Sequence, residues 1–224
     1  MDRSKIVPMI TLLYYPSNAS FAPHVLLREI GVPFMLQRVD RANNEHRSPE
    51  YLKLNPNGSI PVLVDEDLVL YETAAICLHL VDSWPAAELA PAVGTPERAH
   101  FYKWLIWLTN TMQAGLIHYF YPERMVDDGN AAGVAQVKAH AQAQVSACLE
   151  QIDAQLARHG GRWLLGERYS AVDPYALMLC RWTRGFSDKP ARRYEHIGPY
   201  LQRVLARPAV RRTVAKEELP EPIV

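Results

Sequence analysis

The sequence has few cysteines, and their spacing excludes two common kinds of site. Cys77, Cys148 and Cys180 are the only ones, so they cannot all pair within one chain, and none lies in a C-x-x-C spacing. The sequence therefore predicts neither a disulfide framework nor a zinc site, and no metal is expected. Each cysteine lies in an apolar helical pattern, which indicates a small buried side chain.

An excess of charge of one sign and a long apolar run are also missing. The chain has 24 lysines and arginines against 24 aspartates and glutamates. This balance argues against a nucleic-acid partner, because such binding depends on neutralising phosphates. No apolar run approaches the roughly 20 residues that span a bilayer, so no membrane partner is expected. Residues 1–5 do not read as a secretory signal, and the cytoplasm is the expected location.

The first part of the chain alternates between strand and helix signals. Of the 224 residues, 49% are apolar and 21% are charged, which is ordinary for a globular protein with a real core. Strand signals lie at 10–15, 34–39, 61–64 and 68–71, and helix signals lie at 22–29, 49–54 and 72–82. The order β-α-β-α-β-β-α predicts a mixed four-stranded sheet, since β-α-β units are parallel and the last hairpin is antiparallel.

After residue 84 the strand signals stop. We interpret 1–84 as a first domain, 85–95 as a proline-containing linker and 96–224 as an all-α domain of about five helices. Residues 170–173 read SAVD, a layout similar to a capping box, ahead of a helix that runs to about Trp182. The acidic tail 217–224 either folds across the molecule or lies free.

One loop of the first domain has the features of a peptide-binding edge. Residues 55–63 read NPNGSIPVL, and Pro61 cannot donate a hydrogen bond to a sheet. A cis Ile60–Pro61 bond would turn the N–H and C=O of Ile60 outward, where an extended peptide could pair with them. A plain loop proline is the alternative, and the motif alone does not decide between them.

Two further segments could bind the charged ends of such a peptide. Glu72 and Thr73 begin a helix, where Thr73 could bind a carboxylate and Glu72 an ammonium group. Taken alone, this pair is better explained by simple capping of the helix. His46 and Arg47 could hold a second carboxylate, or they are merely solvated surface charges. Together the three segments fit a small, extended, doubly charged peptide that carries a thiol.

These segments resemble a known family. Residues 14–31, 45–63 and 68–80 are similar to the N-terminal domain of soluble (cytosolic) glutathione S-transferases, and the helical half resembles their C-terminal domain. The run EHRSPEYL at 45–52, followed by NPNG, is similar to the theta class and its bacterial relatives of the beta and nu types. The resemblance implies a thioredoxin-like α/β domain, an all-α domain, glutathione as co-substrate, and a cytoplasmic homodimer that acts in detoxification.

The resemblance also implies roles for particular residues. The backbone of Ile60 before cis Pro61 would bind the cysteinyl part of glutathione, and Glu72 with Thr73 would bind its γ-glutamyl end. His46 and Arg47 would lie near its glycine carboxylate. The implied glutathione site also includes Ser59, where theta-like enzymes usually have a lysine, and Tyr14, which is within reach in some classes.

The same resemblance places the group that activates the thiol. When the sequence is aligned on 28–31, Ser17 takes the place of the theta-class catalytic serine, which makes it the first choice as donor to the thiolate. Asn18 and Ser20 are the alternatives. The beta-class cysteine would fall at Ala19, which disfavours a mixed disulfide with a protein cysteine. His24 is expected to support the first helix.

The second substrate would be a small electrophile bound against the first long helix after the linker. The assigned residues are Trp107, Thr111, Met112, His118 and Tyr119. Stripes of this kind are often core. We expect conjugation of the glutathione thiolate to this electrophile. A glutathione-dependent disulfide reductase or peroxidase without a protein cysteine is one alternative. A non-catalytic interaction protein with the same fold is the other.

Overall fold

The computed structural model describes residues 9–224, so the signal-sequence reading of residues 1–5 lies outside the described part. The chain divides into two compact units. The first, here called the sheet unit, contains the described residues up to Ala87 together with Ala209–Leu219. The second, the helical unit, contains Glu88–Pro208 and Pro220–Val224. The sequence division placed all of 96–224 in one domain, and the structure differs at Ala209–Leu219.

The sheet unit has the predicted order of elements. Its strands are β1 (Ile10–Tyr14), β2 (Phe34–Arg38), β3 (Val62–Asp65) and β4 (Leu68–Tyr71). Its helices are α1 (Phe21–Ile30), α2 (Pro49–Leu54) and α3 (Thr73–Ser83), with a short 3₁₀ turn at Glu45–Arg47. Most of the C-terminal helix Pro208–Lys216 also belongs to this unit.

The four strands form one mixed sheet in the order β2-β1-β3-β4. β1 and β2 are parallel, whereas β3 is antiparallel to both β1 and β4. The mixed sheet predicted from the order of the elements is thus confirmed. Val62 is fully buried, and Leu12 and Leu63 are too, so the middle of the sheet forms the core of the unit.

Helix α1 ends at Ile30, one residue beyond the predicted helix signal at 22–29. Gly31 adopts the left-handed conformation at φ 81° and its N–H donates to the carbonyl of Leu27. Glycine reaches this conformation without a steric penalty, which is why it commonly follows a helix. The helix buries most of its first two turns, from Phe21 to Leu27, including His24.

The helical unit consists of helices joined by short turns. They are α4 (Pro96–Trp107), α5 (Ala114–Phe120), α6 (Ala131–His159), α7 (Val172–Trp182) and α8 (Ile197–Leu205). The C-terminal helix Pro208–Lys216, most of which belongs to the sheet unit, is α9. A π-helical segment at Leu108–Gln113 joins α4 to α5. No helix within residues 9–224 is both long enough and apolar enough to span a membrane.

A buried acid organises the start of α7. Asp173 accepts hydrogen bonds from the N–H groups of Leu164 and Ser170, at 3.0 and 2.8 Å, and from the hydroxyl of Tyr200 at 2.9 Å. α7 begins at Val172, so Asp173 stands in its first turn, as the capping-box layout predicts. Its carboxylate links three parts of the chain.

The three cysteines are free thiols and all are buried. Burial raises the pKa of the Cys180 thiol to about 12. It also raises the pKa of the thiols of Cys77 and Cys148 above the usual value. A thiol with a raised pKa and no access to solvent is a poor nucleophile.

Candidate functional site

The register of the sheet brings three strand ends to one edge. Leu13 pairs with Val62, and Val62 pairs with Tyr71. The end of β1, the beginning of β3 and the end of β4 therefore lie side by side. The segments that follow or precede these ends are the turn after Tyr14, the Ile60–Pro61 bond and the start of α3, which together carry most of the predicted glutathione site.

The turn after β1 contains the three candidate donors. Ser17 has a positive φ of 61°, a conformation uncommon for a residue other than glycine, and its N–H donates to Oε2 of Glu217 at 3.0 Å. Ser20 is fully buried, and its hydroxyl donates to the carbonyl of Tyr15 and accepts from the Tyr15 N–H. Oδ1 of Asn18 accepts from the N–H of Ala19. Ser17 is the more exposed of the two serines.

The loop before β3 carries Ile60 and is fixed by hydrogen bonds to the neighbouring residue Ser59. The Ile60–Pro61 bond is cis, as the family resemblance implies and as the motif alone left open, and Ile60 precedes the paired part of β3. The carbonyl of Ser59 accepts from the Tyr51 hydroxyl and from Nδ2 of Asn55, both at 2.8 Å. Tyr51 and Asn55 were not among the predicted site residues, although Asn55 begins the NPNG motif that predicted the loop and Tyr51 lies in the preceding EHRSPEYL run.

The start of α3 combines an unusual backbone with a buried polar residue. Glu72 has φ 71° and ψ 114°, outside the regions that non-glycine residues normally occupy, and its side chain is exposed. Thr73, the first residue of the helix, is buried. Such an outlier persists only where its surroundings fix it, which is typical of ligand-binding positions. α3 also directs its positive end toward this edge of the sheet.

His46 and Arg47 lie in the 3₁₀ turn before α2. Burial, together with the nearby charges of Arg47 and Arg41, lowers the pKa of His46, so His46 is neutral at neutral pH. Arg47 is exposed, and its Nη1 donates to the carbonyl of Asn57 at 3.2 Å. Of the predicted pair, only Arg47 therefore brings a positive charge at neutral pH.

A glutamate in the tail joins this site, and the sequence analysis did not assign it a role. Oε1 of Glu217 lies 2.9 Å from Nδ1 of His24, and its other oxygen binds Ser17 as described. Its side chain has no solvent exposure. The only signal in the sequence was an acid in a tail that either folds back or lies free, and the structure shows that this part folds back.

Comparison with known proteins gives the same assignment for both halves. Residues 8–82 match the family described as Glutathione S-transferase, N-terminal domain, and residues 108–208 match Glutathione S-transferase, C-terminal domain. Glutathione S-transferase 3 of Zea mays is 30% identical over 88% of this chain and 89% of its own length. The chain belongs to the glutathione S-transferase family. Glutathione S-transferase GstA of Escherichia coli O157:H7 is 28% identical over 93% of this chain and 98% of that protein.

A solved glutathione S-transferase structure has the same fold. A glutathione transferase homologue from Sulfitobacter, with bound glutathione, has a TM-score of 0.85 at 28% identity, over 95% of this chain and all of that one. The prediction of a glutathione S-transferase fold, with a thioredoxin-like domain and a helical domain, is thus confirmed. So is the prediction that the protein is an enzyme of this family.

The electrophile residues predicted for this glutathione S-transferase lie on α4, α5 and the π-helical segment between them. Met112 is fully buried and belongs to the core of the helical unit. Trp107, Thr111, His118 and Tyr119 are partly exposed. Tyr119 packs against Phe186, with ring centroids 4.7 Å apart. Their contact with a second substrate stays a prediction.

Proposed function

We propose that this glutathione S-transferase conjugates glutathione to small electrophiles and that the Ser17 hydroxyl donates a hydrogen bond to the glutathione thiolate. The observation that carries the proposal is the meeting of the Ser17 turn, Ile60 and Glu72 at one edge of the sheet, through the pairing of β1, β3 and β4. A peptide stretched along this edge would meet a backbone pairing site, a helix start and a hydroxyl in turn.

Each part of glutathione has a matching group on this edge. The γ-glutamyl carboxylate fits Thr73 at the positive end of α3, and Glu72 offers an acceptor for the neighbouring ammonium group. The cysteinyl backbone fits the N–H and C=O of Ile60. The glycine carboxylate fits Arg47, because His46 is neutral at neutral pH.

The chemical task of the enzyme is to keep the bound thiol ionised. A free thiol has a pKa near 8.5, and lowering it by about two units requires roughly 2.7 kcal/mol of preference for the thiolate. A hydrogen bond to a charged group supplies about 1.5–3 kcal/mol. The thiol proton leaves to solvent, the thiolate sulfur forms a C–S bond with the electrophilic carbon, and the leaving group departs with its bonding electrons.

Ser17 is favoured over the other two candidates by its surroundings. Ser20 is fully buried, and its hydroxyl proton is engaged by the Tyr15 carbonyl at 3.0 Å. Asn18 uses its side-chain oxygen to hold the N–H of Ala19 at 2.7 Å. Ser17 lies in the same turn and is partly exposed, so it is more accessible to a ligand than the fully buried Ser20.

Replacement of Ser17 tests the proposal. In Ser17→Ala we expect kcat/KM with a chlorinated aromatic substrate to fall about 10- to 100-fold at neutral pH, because the thiolate loses a donor worth about 1.5–3 kcal/mol. The pH dependence should shift upward, since the thiol pKa rises. Asn18→Ala tests the alternative donor in the same turn, and it should retain the pH profile of the unchanged enzyme if Ser17 is the donor.

Two results would contradict the proposal. An unchanged pH profile in Ser17→Ala would remove the hydroxyl from the mechanism. Reduction of a small disulfide by the unchanged enzyme, without conjugation, would favour the alternative of a glutathione-dependent reductase. The cytoplasmic location, the homodimer and the use of electrophiles against α4 are part of the same proposal.

A further inference from the structure

The C-terminal helix returns to the sheet unit and places one acid against the proposed active-site turn. Glu217 follows α9, and its N–H donates to the carbonyl of Thr213, which continues the helical pattern. The side chain is completely buried. One carboxylate oxygen accepts from the N–H of Ser17 at 3.0 Å, and the other lies 2.9 Å from Nδ1 of His24.

The hydrogen bonds fix which nitrogen of His24 carries the proton. Nε of Arg28 donates to Nε2 of His24 at 3.0 Å, so Nε2 must accept. Nδ1 then carries the hydrogen and donates to Glu217. Burial lowers the pKa of His24, despite the neighbouring carboxylate, and the imidazole is neutral at neutral pH.

The surroundings of this pair come from several elements. Arg28 on α1 and Lys216 on α9 are the charged groups that, with Glu217, act on His24. The rings of Tyr14 on β1 and Phe34 on β2 pack edge-on against the imidazole, with centroids 6.0 and 5.9 Å away. His24 is thus held on all sides and presents a fixed donor to the carboxylate.

The carboxylate in turn holds an unfavourable backbone. Ser17 has φ 61°, which a serine adopts only when contacts hold it there. The hydrogen bond from its own N–H to Glu217 is such a contact. If this bond is lost, the turn is free to relax, and the Ser17 side chain changes direction.

We infer that Glu217 is a positioning residue for the transferase reaction: it fixes the Ser17 turn and thereby aims the Ser17 hydroxyl at the glutathione sulfur. The inference rests on the proposed role of Ser17. It also makes a prediction of definite sign. A buried negative charge near a thiol would by itself raise the thiol pKa, so its removal would lower that pKa. Loss of the contact that positions the Ser17 hydroxyl would instead raise the thiol pKa.

The test uses Glu217→Gln, which removes the charge and one of the two acceptor oxygens while keeping the side-chain volume. Because Ser17 N–H and His24 Nδ1–H both need an acceptor, the amide cannot serve both. The thiolate of bound glutathione is followed by its ultraviolet absorbance as the pH is varied. We expect the midpoint to rise by about one pH unit and kcat/KM at neutral pH to fall about threefold, in proportion to the thiolate fraction.

The matched control is Glu218→Gln, which makes the same change at the next, exposed residue and should leave the midpoint unchanged. Hydrogen exchange of the peptide that covers residues 15–18 is measured in parallel. It should be faster in Glu217→Gln only. A midpoint that stays or falls in Glu217→Gln overturns the inference.

A second variant covers the case in which Glu217→Gln does not fold. Glu217→Asp keeps the charge, but its side chain is shorter by one methylene and does not reach both partners. The midpoint of the thiolate titration should therefore rise again. An unchanged midpoint would overturn the inference here too. Ser17→Ala separates the two proposals. If the pH profile of Ser17→Ala matches that of the unchanged enzyme, the role of the hydroxyl is refuted. If the pH profile is shifted in Ser17→Ala but unchanged in Glu217→Gln, only the role of Glu217 is refuted.

Discussion

At the scale of single residues, the helical unit depends on a buried acid whose hydrogen-bond donors, among residues 9–224, are all uncharged. Asp173 is fully buried and accepts from Leu164, Ser170 and Tyr200. Two of these donors are backbone N–H groups from different parts of the chain. A buried donor that loses its acceptor costs about 1–3 kcal/mol.

Removal of this carboxylate should be among the most destabilising changes in the helical unit. In Asp173→Ala we expect the free energy of unfolding to fall by about 3 kcal/mol or more, because several buried donors lose their acceptor together. Tyr200→Phe removes one donor and leaves the carboxylate in place, so it should cost only about 1 kcal/mol. Urea titration measures both, and equal losses would contradict the shared role of Asp173.

The same residue predicts a pH dependence. Burial raises the pKa of Asp173 to about 6 in the folded protein, above its value in the unfolded chain. The folded state therefore binds the proton more tightly, and this residue's contribution to stability is lost as the pH rises from about 4 to about 6. In Asp173→Asn that part of the fall should be absent. Identical pH slopes in the two proteins would show that Asp173 does not titrate there.

At the scale of elements, the turn between α2 and β3 needs a glycine for two reasons. Gly58 has φ 56°, and a Cβ at this position would lie 2.7 Å from Nη1 of Arg47 and 2.9 Å from the carbonyl oxygen of His46. The turn therefore sets the position of the 3₁₀ segment that carries both residues. The left-handed backbone and the lack of space for a Cβ atom therefore both require glycine at position 58.

Gly58→Ala should weaken glutathione binding. We expect Kd to rise several-fold, since Arg47 and the loop before Ile60 must shift, in addition to about 1 kcal/mol of lost stability from the left-handed backbone. Gly31→Ala is the control, because Gly31 has φ 81° but open space around its Cβ position. It should lose similar stability and keep its affinity in calorimetry. A loss of affinity in both variants would contradict the explanation by contact with Arg47.

Elements whose ends carry their own signals could be predicted from the sequence. Gly31 ends α1, Pro96 and Thr95 begin α4, and the hairpin turns between β3 and β4. The π-helical segment Leu108–Gln113 could not be predicted, because its apolar residues continue the spacing of α4. The left-handed Ser17 could not either, since nothing in a serine favours that conformation and its cause lies 200 residues away.

At the scale of the whole molecule, the order of elements decided the fold, whereas long-range contacts decided the site. The repeated strand and helix signals of residues 10–83 were enough to give the mixed sheet and its edge. Assignment of α9 to the sheet unit was missed, because its sequence is an ordinary short helix. The hydrogen-bond partners of Glu217 are distant in the chain, so no local sequence pattern predicts these contacts.

The resemblance predicts a homodimer, and α4 offers an apolar face for it. Tyr102 and Ile106 are four residues apart on this helix, and 39% and 46% of their surfaces are exposed. Light scattering should give a mass twice the 25.4 kDa of one chain. Ile106→Glu should shift the mass toward one chain, because it places a charge in an apolar contact.

Val93→Glu is the control for that variant, because Val93 is 75% exposed and lies before α4. It should leave the mass of the dimer unchanged. A single-chain mass for the unchanged protein would refute the dimer, and a dimer that persists in Ile106→Glu would place its interface elsewhere.

The burial of all three cysteines has a consequence for the proposed conjugation of electrophiles. Reactive carbon compounds alkylate exposed thiolates, so such substrates would threaten any accessible cysteine of the enzyme. Cys77, Cys148 and Cys180 are shielded and hold their protons firmly. Since the cysteines of the described residues are shielded, the thiolate of bound glutathione would be the sole accessible sulfur anion beside them. A cysteine engineered at the surface could therefore be labelled selectively without removing the natural ones.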